Sequence, residues 1–123
     1  HAVMLGELMK NLIDNAIFYT GTSVTVRVTA DADYAHFYVL DDGPGIEPDE
    51  REQVFEPFYS VLGEQGNGSG LGLAIVRQIA VMHGAQIEIN YNAELPINGP
   101  HGSKFHVKLL RAHDAVPTLL VKF

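Results

Sequence analysis

Three groups of residues have the types and the spacing for chemistry. Gly66, Gly68, Gly70 and Gly72 alternate with Asn67, Ser69 and Leu71, then give way to the apolar run Leu73-Ala74-Ile75-Val76. Glycine at every second position leaves bare backbone, able to adopt positive φ, with N–H groups that can converge on one ligand. A glycine loop that feeds a helix N-terminus is a phosphate cradle, since orphan amides and the helix dipole both favour an anion. The same pattern also fits an ordinary loop before a helix. Asn11 and Asn15 lie one helical turn apart, with Glu7 a turn before and Tyr19 a turn after. Asparagine is a poor helix-interior residue, so the pair points either to amide oxygens used on a hard cation or to local backbone satisfaction. Asp41-Asp42-Gly43-Pro44-Gly45-Ile46 sets a carboxylate beside glycines. The glycines let a flat ligand lie against the backbone, and the carboxylate accepts from an amino group. An acidic turn closing a strand has a similar look, but Gly-Pro-Gly is more than a turn needs.

The pattern along the chain supplies elements to carry these groups. Residues 4–19 read as a helix with the stripe Leu5, Leu8, Leu12, Ile13 and Ala16, ended by Thr20-Gly21-Thr22. Val24, Val26 and Val28 alternate with polar residues in a strand; residues 34–40 form a second, paired as a hairpin across Asp31-Ala32-Asp33. Residues 48–54 read as a short helix opened by Pro48. Phe55-Glu56-Pro57-Phe58-Tyr59 suits an aromatic latch at the base of a loop, with Phe55 itself in the core. Residues 60–69 have the composition of a mobile lid. Leu71, Ile75, Ile79 and Met82 recur at helical steps in a helix running to His83 and stopped by Gly84. Residues 86–91 and 103–110 are strands around a Pro-, Gly- and Asn-rich loop, and residues 118–123 are a further strand or a tail.

The chain has 123 residues, enough for one domain with a real core. Its formal net charge of −7, with eight Lys plus Arg, argues against a nucleic-acid footprint or an anionic membrane surface. Without cysteine there is no disulfide frame and no thiolate metal site. No apolar run reaches transmembrane length, and no signal peptide opens the chain. Helical periodicity begins almost at His1, which reads as an excised domain.

Taken in order, the motifs Asn11-Leu12-Ile13-Asp14-Asn15-Ala16, Asp41-Asp42-Gly43-Pro44-Gly45-Ile46, Phe55-Glu56-Pro57-Phe58-Tyr59, Gly68-Ser69-Gly70-Leu71-Gly72-Leu73 and Gly102-Ser103-Lys104-Phe105 carry a resemblance. The chain resembles the ATP-binding catalytic domain of sensor histidine kinases, in the superfamily shared with type II topoisomerase, mismatch-repair and heat-shock chaperone ATPases. The stretch from Val61-Leu62-Gly63 to Arg77, with His83-Gly84-Ala85, is similar to the Gram-negative sensors that include the tricarboxylate-transport subgroup. The resemblance implies an α+β fold, the Bergerat ATP-binding fold: a two-layer sandwich of a mixed sheet with helices on one face. Residues 1–111 are then the catalytic domain and 112–123 a C-terminal tail or extra strand.

Carried over position by position, the resemblance makes Asn15 the Mg²⁺ ligand beside the ATP phosphates, with Asn11 on the same face. Asp41 takes the adenine amino group. Gly43 and Gly45 let adenine and ribose lie against the backbone, Tyr19 and Ile46 flank the base, and Phe58 braces the lid. Gly68, Ser69, Gly70, Leu71 and Gly72 meet the phosphates, and Ser103 completes the nucleotide-contacting set. Hydrolases of the superfamily carry Glu where this chain has Asn11. An amide does not take a proton near neutral pH, which favours phosphoryl transfer to a histidine over water activation. None of the six histidines here looks like the acceptor, which is expected on a separate upstream dimerisation domain. The implied partners are that domain, a cognate response regulator and no nucleic acid; the implied parent is a homodimeric inner-membrane sensor with this part cytoplasmic and monomeric alone. Phe18 and Ser60 stand where the family usually has basic residues. That departure predicts weak, metal-dependent nucleotide binding, with Arg77 or Lys10 as the remaining cations, and keeps two alternatives: a regulatory nucleotide-binding module without transfer activity, or an ATPase.

Overall fold

The computed structural model describes residues 2–19, 23–59, 71–110 and 119–122. Among these described residues two α-helices, α1 (Ala2–Tyr19) and α2 (Gly72–Met82), accompany five strands: β1 (Val24–Ala30), β2 (Tyr34–Asp41), β3 (Gln86–Asn90), β4 (Lys104–Leu110) and β5 (Leu119–Lys122). The strands form one sheet in the order β3-β4-β2-β1-β5.

Alternation decides what faces what. Val24 and Val26 of β1, Phe37 and Val39 of β2, Ile89 of β3, and Phe105 and Val107 of β4 are all buried in one cluster with Leu8, Leu12 and Ala16 of α1 and Val76, Ile79 and Ala80 of α2. The helices therefore share the inner face of the sheet, and the α+β two-layer sandwich expected from the sequence forms. Leu8 and Leu12 are essentially inaccessible, so truncating either to alanine removes about 2–5 kcal/mol of packing.

The sheet differs from expectation in one respect. Among the described residues all four strand pairings are antiparallel, so the sheet there is antiparallel rather than mixed. β2 and β3 do run in the same direction, as the intervening α2 crossover requires, but β4 lies between them and pairs antiparallel with both. The β1–β2 hairpin is closed by Asp31, whose Oδ1 accepts from the N–H groups of Asp33 at 3.0 Å and Tyr34 at 2.7 Å.

Two local elements also depart from the sequence pattern. The helix expected over residues 48–54 is a pair of 3₁₀ turns, Pro48–Glu50 and Gln53–Phe55. Neither Glu47 nor Glu52 places its side chain as an N-cap, and a segment this short does not sustain an α-helix without one. α2 forms, but the face it buries centres on Val76, Ile79 and Ala80, while Leu71, Ile75 and Met82 are exposed. The helix is apolar nearly all round, so periodicity locates the element and packing selects the face. Its end is as read: Gly84 has φ of 66°, and the Ala85 N–H donates to the Ala80 carbonyl at 2.8 Å in a Schellman cap. The His83 ring donates through Nδ1 to the Ile79 carbonyl at 2.9 Å, which satisfies one of the last carbonyls of the helix.

Candidate functional site

Asp41 closes β2 and is 4% exposed. Its Oδ1 accepts from the backbone N–H of Gly43 at 2.9 Å and of Ser103 at 3.1 Å, and its Oδ2 accepts from the Ser103 hydroxyl at 2.5 Å. A carboxylate offers about four acceptor positions. Three are filled among the described residues, which leaves one on Oδ2 for a donor from outside. Burial pushes the Asp41 carboxyl above the ordinary carboxylate range, against the pull of the Ser103 hydroxyl and the two amides. The neighbouring Asp42 is used differently. Its Oδ1 accepts from the Ser23 N–H at 3.0 Å and so ties down the start of β1.

The surrounding backbone is interlocked at two glycines. Gly102 has φ of 60°, and a Cβ there would stand 2.2 Å from the Asp41 carbonyl oxygen. Gly45 has φ of 84°, and a Cβ there would meet the Gly102 carbonyl at 2.8 Å and the Tyr91 ring at 3.2 Å. The bare side of Gly45 is thus filled by protein, and the loop after β2 seals against the turn before β4. The Gly102 N–H donates to the Gly43 carbonyl at 2.8 Å across that seam. Outside it, Tyr91 stacks on His101 at 4.4 Å between centroids, and the Arg51 guanidinium lies 4.6 Å from the centre of the Tyr91 ring.

At the other end, α1 meets the start of α2. The Asn11 carboxamide donates through Nδ2 to the Glu7 carbonyl at 2.8 Å, and its Oδ1 lies 3.3 Å from where a Cβ on Gly72 would stand. Glycine at 72 therefore lets the first turn of α2 approach the asparagine face. Leu71 holds the N-cap position of α2 with no side-chain acceptor to offer, and the first turn contains no acidic residue. Asn15 is half-buried on the same α1 face as Asn11, and its side chain makes no hydrogen bond among the described residues. Asn11 thus realises the local backbone role and Asn15 does not.

Both cations that the sequence offers for phosphate charge are engaged. Lys10 pairs with Asp14 at 2.8 Å, and Arg77 pairs with Glu52 at 2.8 Å while its guanidinium lies 4.5 Å over the Phe55 ring. These are exposed pairs, worth little and readily exchanged. Phe18, three residues after Asn15, is 40% exposed.

A buried carboxylate with one open acceptor, set beside glycine-edged backbone and at a distance in sequence from an asparagine helix docked on a glycine-led helix, is matched by a known family. Residues 1–113 match the family described as histidine kinase-, DNA gyrase B-, and HSP90-like ATPase. The chain belongs to this ATPase family. This ATPase-family domain is 44% identical to sensor protein QseC of Escherichia coli (strain K12) over 92 residues, which cover 75% of this chain and 20% of that protein. It is 43% identical over 112 residues to the signal transduction histidine-protein kinase/phosphatase MprB of Mycolicibacterium vanbaalenii, covering 88% of this chain and 23% of that one. The domain thus spans about one fifth of the length of these curated relatives. Among solved structures, the mycobacterial sensor histidine kinase MprB superposes with a TM-score of 0.77 at 36% identity, covering 89% of this chain and 72% of that chain. Full-length ShkA in complex with AMPPNP superposes with a TM-score of 0.74 at 27% identity, covering 91% of this chain and 22% of that chain. Within the family it is similar to the corresponding region of sensor histidine kinases.

The sequence-read site residues are placed as follows. Asp41, Gly43, Gly45, Ile46 and Ser103 come together at the β2 end, with Ile46 buried in the core and its carbonyl accepting from Arg51 Nε at 3.0 Å. Asn11, Asn15 and Gly72 come together where α1 meets α2, with Leu71 just before. Phe55 is in the core, as read, whereas Phe58 is 74% exposed with φ of 66°. Gly68, Ser69 and Gly70 lie outside the described residues, as does the Tyr19 side chain. The structure adds one residue that the sequence does not single out. Asn92, 9% exposed, donates through Nδ2 to the Asp41 carbonyl at 3.0 Å. It sits in a loop whose Asn, Pro and Gly content gives it no distinguishing signal.

Proposed function

We propose that this domain binds ATP between the Asp41 end of β2 and the asparagine face of α1, and hands its γ-phosphoryl to a histidine on a separate dimerisation domain of the parent sensor. The observation that carries the reading is the Asp41 carboxylate, buried and satisfied except for one acceptor position that suits the adenine amino group. Family membership and the AMPPNP complex of ShkA support the same ligand class.

A divalent ion fits the α1 end in a limited way. The unpartnered Asn15 carboxamide offers one hard oxygen, and no group of three His, Cys, Asp or Glu side chains able to hold a metal occurs among the described residues. Mg²⁺ bound there would be held mainly by phosphate oxygens and water, and would neutralise charge on the transferring group. Asn11 orients against Gly72 and has no basic atom for water activation, which favours transfer over hydrolysis. Glycines 68 and 70, Ser69, Leu71 and Gly72 are the proposed phosphate contacts, Tyr19 and Ile46 the base flanks, and Phe58 the lid brace. Residues 1–111 are the proposed catalytic unit of a cytoplasmic part of a membrane sensor that acts as a homodimer with a response regulator. No helix among the described residues is long and apolar enough to cross a membrane.

A second reading, a nucleotide-binding module without transfer, draws on Phe18 and on the paired state of Lys10 and Arg77. One experiment separates the two. Labelled ATP is offered with and without Mg²⁺ to this chain and to the same chain joined to acceptor helices of a relative. Transfer predicts Mg²⁺-dependent ATP binding to both, no stable label on the chain alone, and acid-labile label on the joined protein. Binding with no label in either would establish the module instead.

A further inference from the structure

Asp41 is held at both of its ends, and only one end is explained by the nucleotide reading. The carboxylate is oriented by Gly43 and Ser103. Its main-chain carbonyl is oriented by something else. Asn92 Nδ2 donates to that carbonyl at 3.0 Å, in a buried contact that joins residues 51 positions apart. The Asn92 side chain is itself fixed, because its Oδ1 accepts from the Glu94 N–H at 3.1 Å, and its backbone N–H donates to the His101 carbonyl at 3.1 Å. Gly102 packs closely against the same carbonyl, since any Cβ there would strike the Asp41 carbonyl at 2.2 Å and crowd Asn92 Cβ at 3.1 Å. The Asp41 carbonyl is therefore fixed by a side-chain amide and closely packed by a bare glycine.

We propose that Asn92 is a positioning residue for base selection: by fixing the Asp41 peptide plane it aims the one open acceptor position of the carboxylate at the purine. This rests on the reading of Asp41 as the base contact and extends it to a residue that touches no nucleotide. Direction is what the clamp controls. Rotation about the Asp41 Cα–C bond carries the Gly43 N–H away from the Oδ1 it orients, and hydrogen bonds weaken steeply once misaligned. Removing the Asn92 donor also leaves a buried carbonyl unsatisfied, a penalty that peptide rotation relieves. The phosphate end, at Asn15 and Gly72, belongs to α1 and α2 and shares no hydrogen bond with Asn92 among the described residues. Loss of Asn92 therefore weakens amino-group recognition selectively.

The test compares ATP with inosine triphosphate, which carries a carbonyl in place of the amino group. Binding of both is measured on the chain, on Asn92→Leu and on Asp41→Asn, with thermal melts alongside. The native chain is expected to prefer ATP, and Asn92→Leu is expected to cut that preference about tenfold by weakening ATP while inosine triphosphate binding holds. A folded Asn92→Leu protein with an unchanged preference overturns the inference. The Asp41→Asn arm isolates the underlying reading: if that variant keeps the preference, Asp41 does not read the base at all. Should Asn92→Leu not fold, the native chain still decides. The Asn92 side-chain amide signals in ¹H–¹⁵N spectra are expected to shift with ATP and not with inosine triphosphate, and equal responses to both overturn the proposal.

Discussion

At Asp41 the proposed base contact and stability pull in opposite directions. Its carboxyl is held above the ordinary range chiefly by burial, so the folded chain holds that proton more tightly than the unfolded chain does. As pH rises through the ordinary carboxylate value towards the raised one, ionising Asp41 therefore removes stability, and at neutral pH the charge is a cost. Asp41→Asn keeps an oxygen for the Gly43 and Ser103 amides and removes that charge. We expect Asp41→Asn to melt at the same temperature as the native chain or higher, while ATP affinity drops tenfold to hundredfold, about 1.5–3 kcal/mol for a hydrogen bond to a charged group. Thermal melts and ATP titrations on the same preparation check it, and a variant that loses stability would refute the account. This residue was legible in the sequence because an acid at a strand end followed by Gly43 and Gly45 is a local pattern. Asn92 was not, because its partner is remote in the chain and nothing local marks one loop asparagine above another.

At the scale of elements, the face of the sheet away from the helices carries an ordered polar row. His36 donates through Nε2 to Asp31 Oδ2 at 2.8 Å, which leaves its Nδ1 to accept from His106 Nε2 at 2.9 Å. Tyr38 stacks on His106 at 4.4 Å, Glu88 stands opposite His106 in register, and Lys104 and Lys108 flank it on β4. Burial, then the charge of His36, hold the His106 imidazole below its ordinary value, with the two lysines adding and Glu88 opposing. The unfolded chain thus binds more protons just below the ordinary histidine value, so stability falls as pH drops through about 6.5. A second loss follows further down, since the His36 contact and two backbone amides hold Asp31 at about 2. His106→Gln is expected to flatten the change in urea midpoint between pH 7 and 5; an unaltered slope would show that the pair is inert. The strands bearing this row were readable from alternation alone. The facing of α2 was not, because nearly every position of that helix is apolar, and the two 3₁₀ turns were not, because their helical reading rested on Pro48 and acidic residues without a capping side chain. The stretch from Val61 to Gly70, on which much of the subgroup resemblance rests, lies outside the described residues.

For the whole molecule, the sandwich and its antiparallel order place the Asp41 end of β2 and the asparagine face of α1 on different elements that share one core. The family match stops at residue 113, and β5 lies beyond it. β5 is nonetheless part of the sheet, pairing with β1 from Thr25↔Lys122 to Val28↔Leu119. It exchanges a seven-residue border strand, Val-Thr-Val-Arg-Val-Thr-Ala, for one of four residues that includes a lysine. Short borders with a charge resist recruitment of neighbouring chains, whereas long β-branched ones invite it. A chain cut after residue 113 is therefore expected to keep its ATP site and to scatter light increasingly with concentration and time, while the native chain stays clear. β5 would then serve colloidal behaviour and leave chemistry untouched: trimming to the family limits is expected to cost clarity of solution rather than nucleotide binding.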